Sequence, residues 1–161
     1  MMKLKELAIQ KLKERGVEIT DIADIVFELQ KKHIQDLTVD DCINTIDSII
    51  EKREVIHAVL TGIAIDEAVE KNLLSEPINS IIKVDDSLYG IDEILPLSIV
   101  NIYGSIAFTN FGHLDKTKPG IIGKLDKLGK DNKQCHTFLD DIICAISSSA
   151  ASRLAHKNRI D

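Results

Sequence analysis

Aromatic side chains are scarce in this chain of 161 residues, which holds four Phe, two Tyr and no Trp. An aromatic-rich β-sandwich core is thereby excluded, and a hydrophobic content of 44% has to come from Ile, Leu, Val and Ala, which suits packed helices. There is no aromatic set on which bases could stack. With a net charge of −6 there is also no general basic face to displace phosphate counterions, so the chain is not a general nucleic-acid binder. Cysteine is sparse as well. Cys42, Cys135 and Cys144 form no CxxC and leave an odd one out. That argues against a disulfide framework or a zinc knuckle and fits a reducing cytosol. Cys135 has no base fixed by spacing and reads as a buried thiol. No linker, internal repeat or sustained period-two alternation divides the chain, so residues 1–161 read as a single domain. The opening MMKLKELAIQKLKERG mixes charge through its first turns and lacks the apolar centre of a secretory signal, which predicts a cytoplasmic protein.

What is present is helical periodicity. Leu4, Leu7, Ala8 and Leu12 form a stripe ended by Gly16. Thr20 offers a cap for a second helix with Ile22, Ile25, Val26 and Leu29 facing inward, and Thr38 with Asp41 starts a third carrying Cys42, Ile46, Ile49 and Ile50. After the charged Glu51–Glu54 stretch a fourth helix runs to about Asn72, and Ser75 and Pro77 open a short one. Residues Ile94–Gly112 carry no ionisable side chain and approach the ~20 residues that span a bilayer. Pro96, Ser98, Asn101, Tyr103, Ser105, Thr109 and Asn110 would be costly against lipid, however, so this run is expected as a central buried helix, capped by Asp85–Ser87. A lysine-rich loop with Lys116, Lys118, Lys124, Lys127, Lys130 and Lys133 follows, then a last helix from about Cys135 to His156. The expected fold is all-α, a compact bundle of about six helices.

Chemistry concentrates in the second half. Asp140 and Asp141 open the last apolar run and diverge by about one hundred degrees, close enough to reach one cavity. Asp92 and Glu93 are a second adjacent pair ahead of the uncharged run. Each pair alone could serve only free N–H groups at a helix start, and Thr137 with Asp140 could be a capping box. Converging buried carboxylates repel unless protons or a cation offset them, and carboxylate oxygens suit Mg²⁺ or Mn²⁺ better than zinc. Lysines between the two pairs would attract phosphate. Gly120 and Gly123-Lys124 do not make a P-loop, because the GxxxxGK[ST] spacing is absent and Leu125 stands in place of the hydroxyl.

In order, IDEILPLSIV, LDKTKPGIIGKLDK and FLDDIICAIS resemble the phosphatidylglycerophosphatase A family, whose pattern is an Asp-Glu pair, an Asp-x-x-Lys-Pro element with a trailing Asp, and an Asp-Asp pair opening an apolar helix. The stretch KREVIHAVLTGIAIDEA is similar to the soluble, YutG-like branch, an all-helical group with one central helix. The resemblance implies a Mg²⁺-dependent phosphomonoesterase that converts phosphatidylglycerophosphate to phosphatidylglycerol in phospholipid synthesis. It implies Asp92, Glu93, Asp140 and Asp141 as metal ligands. Asp115, Lys118 and Asp126 fall on the middle element, with Lys118 facing the phosphate oxygens. Glu54, His57 and Thr61 share one helix face. Glu54 is a further candidate ligand, and His57 or His136 a candidate for moving the proton. An anionic phospholipid substrate implies peripheral contact with the inner face of the plasma membrane, through the lysine loop or the first helix with Lys3, Lys5, Lys11, Lys13 and Arg15. For that helix, ordinary packing is the favoured reading. Three alternatives stay open: a soluble phosphomonoester as substrate, a non-enzymatic metal-binding helical homo-oligomer, and a di-iron bundle built on Glu54 and His57. The last lacks the second ExxH that such a site requires.

Overall fold

Local side-chain chemistry sets the starts of the first three helices. Thr38 accepts from the Asp41 N–H at 3.1 Å while the Asp41 carboxylate accepts from the Thr38 N–H at 2.9 Å, the reciprocal pair expected from the spacing. The second helix starts two residues earlier than a Thr20 cap implies, at Ile19. Its first turn is closed by the Asp21 carboxylate, which accepts from the Glu18 N–H at 2.8 Å, so Thr20 is not the cap. The structure is a computed structural model that describes residues 3–131 and 134–158. Lys133 therefore lies outside the described residues.

Among the described residues there are nine helices and no strand, so the class is all-α with more helices than expected. They are α1 (Leu4–Glu14), α2 (Ile19–Gln30), α3 (Val39–Ile50), α4 (Arg53–Glu70), α5 (Ile78–Lys83), α6 (Ile91–Val100), α7 (Ser105–Thr117), α8 (Ile121–Lys130) and α9 (Leu139–Lys157). The additional helices come from two places. Residues 94–112 are not one buried helix. They divide between α6 and α7 at a turn ending in Gly104, whose φ of 84° an L side chain rarely adopts. Gly112 lies inside α7 rather than ending it. Absence of charge here did not mean burial, since Ile94 is 65% exposed and Ile102 and Phe108 also reach solvent. The supposed lysine loop is largely helical too, holding the end of α7 and all of α8.

The central helix is α9. Every residue from Leu139 to Ser152 is buried, and α2, α3, α4, α6, α7 and α8 all pack against it. A helix enclosed on all sides needs an all-round covering of apolar or small side chains. Ile142, Ile143, Cys144 and Ile146 fill the first half, and Ser147–Ser149, Ala150 and Ala151 let neighbours approach closely in the second. Gly62 of α4 lies directly against the Ile142 and Phe138 side chains, so a Cβ there would collide with them. On α1, Lys5 pairs with Asp47 and Glu51 at the end of α3 and Lys11 with Glu67 of α4, which ties the helix to its neighbours, whereas Lys13 pairs locally with Glu18 at the surface.

Candidate functional site

The turn that delivers the Asp-Asp pair is held from three directions. Arg15, at the end of α1, makes a bidentate pair with Glu70 of α4 at 3.1 and 2.6 Å and donates to the Cys135 carbonyl at 2.7 Å. Glu70 in turn accepts from the Cys135 N–H at 2.7 Å. Thr137 donates its hydroxyl to the Ile82 carbonyl of α5 at 2.6 Å, while the Asp140 N–H goes to the His136 carbonyl at 3.1 Å, so Thr137 and Asp140 make no capping box. Asp66, fully buried on α4, accepts from the Phe138 N–H at 3.1 Å and the Leu139 N–H at 3.0 Å. A side chain from another helix thus satisfies donors that a local cap would otherwise take. Burial pushes Asp66 up to about 8, against the pull of those two N–H groups.

So anchored, the first turn of α9 projects Asp140 and Asp141 into a cleft of about 330 Å³. The start of α6 adds Asp92 and Glu93, the end of α7 adds Asp115 and Lys118, and α8 adds Asp126 and Lys130. Asp85, Asp86, Ser87 and Gly90 close it from the loop before α6. Lys118 is the hub: its Nζ lies 3.0 Å from Asp140, 3.3 Å from Asp115 and 3.9 Å from Asp126. Burial works against its charge, but Asp140, Asp115 and Asp141 outweigh burial and hold its pKa above the ordinary lysine value. Lys118 also has a left-handed backbone, φ 45° and ψ 57°, a conformation that costs a non-glycine residue ~1–2 kcal/mol.

Eight carboxylates against two lysines leave the cleft strongly acidic. Burial, then the charge of Asp85, pushes Asp92 up to about 6. Burial also raises Asp140, opposed by Lys118, and raises Asp141, reinforced by Asp140, Asp115 and Asp92. Oδ1 of Asp141 is buried without a hydrogen-bond partner. Among the described residues, no three His, Cys, Asp or Glu side chains are already gathered as a metal cage, and Lys118 is the cation the carboxylates face. An orphaned buried oxygen within an all-oxygen donor set nevertheless fits a hard divalent cation such as Mg²⁺ or Mn²⁺.

The structure thus brings Asp92, Glu93, Asp115, Lys118, Asp126, Asp140 and Asp141 to one cleft and leaves the other candidates outside it. Glu54, His57 and Thr61 do share a face of α4, but that face is exposed and none of the three lines the cleft. His136 is buried with Nδ1 3.4 Å from Arg15 and Nε2 2.6 Å from Gln134, and it borders only a void of about 20 Å³ beside Asp85, Asp126 and Lys130. Cys135 is buried, and burial pushes its thiol up to about 12, which suits no nucleophile at neutral pH. Sequence reasoning missed Asp85 and Asp86, read only as a helix cap, and Asp66. For Asp66 a signal existed, because it sits with Val59, Ile63 and Val69 on the buried stripe of α4, where an acid needs a partner.

His136 makes a pH prediction. Burial first, then Arg15, push its pKa from 6.5 down to about 4. The unfolded chain therefore takes up a proton that the folded chain refuses, and the stability associated with neutral His136 is lost as pH falls from 6.5 toward about 4. The loss is on the order of 3 kcal/mol. The raised cleft carboxylates act with the opposite sign, so the measurement is a difference. Urea unfolding of the parent and of His136→Gln across this window should give a flatter acid limb for the variant, and parallel limbs would show that the ring is not held neutral.

A helical bundle whose central helix opens into a cleft of carboxylates gathered around the Lys118 ammonium defines the class. The sequence profile of the phosphatidylglycerophosphatase A family matches residues 8–156, and the chain belongs to that family. It is 55% identical to the uncharacterized protein YutG of Bacillus subtilis over 149 residues, covering 92% of this chain and 89% of that protein. A Bacillus stearothermophilus protein of unknown function has the same fold, with a TM-score of 0.93 at 51% identity over 99% of this chain and 98% of the other. The low temperature requirement C protein of Listeria monocytogenes gives 0.92 at 52%, covering 97% of each chain.

Proposed function

We propose that the protein is a Mg²⁺-dependent phosphomonoesterase that removes the terminal phosphate of phosphatidylglycerophosphate. The observation that carries this reading is the juxtaposition, in one cleft, of the Lys118 ammonium with Asp92, Glu93, Asp140 and an Asp141 oxygen that has no partner. Asp92, Glu93, Asp140 and Asp141 would hold the cation, Mg²⁺ or Mn²⁺, which when bound supplies charge neutralisation and polarises a phosphoryl oxygen. Lys118, already oriented by Asp140 and Asp115, stabilises charge that builds on the equatorial phosphoryl oxygens. Asp126 pairs with Lys130 at 2.7 Å and faces Lys118, which keeps both ammonium groups at the cleft. Asp115 is the cleft carboxylate assigned to take the proton of the attacking water, since both histidine candidates stand outside.

The rim supports a lipid substrate. Val84, Leu88, Ile91 and Ile94 are exposed and interleave along the chain with the cleft residues Asp85, Ser87, Gly90, Asp92 and Glu93. A headgroup phosphate in the cleft would leave its acyl chains against these side chains. Among the described residues no helix is long and apolar enough to cross a membrane, so contact with the bilayer is peripheral in this reading. The test is phosphate release from phosphatidylglycerophosphate in vesicles and from soluble phosphomonoesters, with and without Mg²⁺. Mg²⁺-dependent release from the lipid is expected. Leu88→Asp should slow the vesicle reaction by about tenfold, the cost of losing one buried leucine contact, and leave soluble substrates unaffected. Preference for a soluble ester irrespective of Leu88 would replace the lipid with a soluble substrate, and no release from any ester with or without Mg²⁺ would favour a non-enzymatic module.

A further inference from the structure

We infer that Gly123 is a positioning residue for the Lys118 ammonium, because the absence of a side chain at Gly123 is what lets the Lys118 turn seat against α8. A Cβ on Gly123 would stand 2.5 Å from the Lys118 carbonyl oxygen, far inside van der Waals contact. The struck atom is backbone, so no rotamer change can relieve the clash. Helical Cβ atoms tilt toward the helix N-terminus, and from the first turn of α8 that direction leads back to the turn carrying Lys118.

The Lys118 backbone has little freedom to yield. It is left-handed, and Pro119 follows it, which disfavours helical conformations in the preceding residue. Its N–H donates to the Leu114 carbonyl at 2.8 Å, and its ammonium is drawn to Asp140 at 3.0 Å. Nor can α8 retreat easily, because Ile121, Ile122 and Leu125 anchor it in the core. A methyl group at Gly123 therefore moves Lys118 relative to Asp126 on α8 and Asp140 on α9. Gly112 is different: nothing lies within 4 Å of a Cβ built there, although it too is helical. The GIIGK stretch that fails as a P-loop thus has a phosphate-related purpose of another kind.

The inference rests on the cleft binding phosphate, and its test separates the two ideas. Calorimetric affinity for inorganic phosphate, with Mg²⁺ present, is measured for the parent, Gly123→Ala, Lys118→Met, the double variant and Gly112→Ala. Gly123→Ala should weaken binding by about tenfold or more, as misplacement of a binding group does. In the Lys118→Met background it should add almost nothing, and Gly112→Ala should match the parent. Equal losses in both backgrounds would mean general loosening and overturn the inference, as would unchanged affinity in the single variant. If the parent binds no phosphate, the phosphomonoesterase reading fails. Gly123 is then judged by crystal structures of parent and variant, where retention of the Lys118–Asp140 contact in Gly123→Ala sinks the idea and its loss sustains it. If Gly123→Ala does not fold, the parent crystal structure decides: a left-handed Lys118 with its carbonyl under 3.0 Å from the Gly123 Cβ position supports the inference, and open space there refutes it.

Discussion

Asp141→Asn is expected to leave the protein as stable as the parent, or more stable, while turnover falls by at least about a hundredfold, the usual loss for a preorganised electrostatic contact. Two effects compete at this position. A carboxylate in the first turn of α9 gains from the helix dipole, by ~0.3–1 kcal/mol and up to ~2 when partly buried. Against that, Asp141 is buried, has an oxygen without a partner, and faces Asp140, Asp115 and Asp92. Desolvation of an unpaired charge costs several kcal/mol, so it wins. The dipole gain also has a substitute, because Asp66 already satisfies the Phe138 and Leu139 N–H groups. Scanning calorimetry with and without Mg²⁺, beside steady-state kinetics, checks both halves. The Mg²⁺-induced rise in melting temperature should shrink in the variant. A variant that unfolds, with normal metal response and specific activity in whatever stays folded, would make Asp141 a simple helix cap.

Lys118→Met should move stability the other way. Its ammonium is the central positive charge among Asp140, Asp115 and Asp126, and Asp140 is 4% exposed. Removing one partner of a buried pair costs ~3–5 kcal/mol, and because the Lys118 side chain is 28% exposed a discounted loss of ~2–3 kcal/mol is expected. Turnover should fall by about a hundredfold or more, since in the proposed mechanism the same group faces the phosphoryl oxygens. Mg²⁺ should raise the melting temperature of this variant more than that of the parent, because a divalent cation supplies the charge the lysine no longer does. A metal-free Lys118→Met protein as stable as the parent would show that solvent, not Lys118, balances the acids.

Both predictions concern residues that the ordered motifs had singled out, and the reason they were legible is chemical. Acids and a lysine are conspicuous against apolar runs, and Asp92, Asp115, Lys118 and Asp140 need only helix ends of the right orientation to meet. Thr38 and Asp41 were legible for a different reason, since a capping box is complete within four residues. Long-range features were not. The identity of the central helix was misjudged because Asp140, Asp141 and four buried serines depress the apparent hydrophobicity of α9, whereas Ile91 and Ile94 inflate that of α6 while pointing to solvent. The role of Asp66 could not be read because its partners are main-chain N–H groups, which every sequence supplies everywhere. His57 shows the converse: a titratable ring on a helix face says nothing about which face the fold covers.

The bond from Asp66 to the start of α9 also sets an order of events. Its partners are 72 and 73 residues away, so the turn carrying Asp140 and Asp141 gains those bonds only after α4 has docked and a long loop has closed. The acids of the cleft arrive on four further segments, the loop before α6 and the helices α6, α7 and α8, and those three helices are placed by packing on α9. An incomplete chain, during synthesis or after partial unfolding, therefore carries the same carboxylates dispersed and solvated. In the proposed reading, tight capture of a divalent cation would be a late product of folding, and the ion would act as an inspector that rewards only finished molecules.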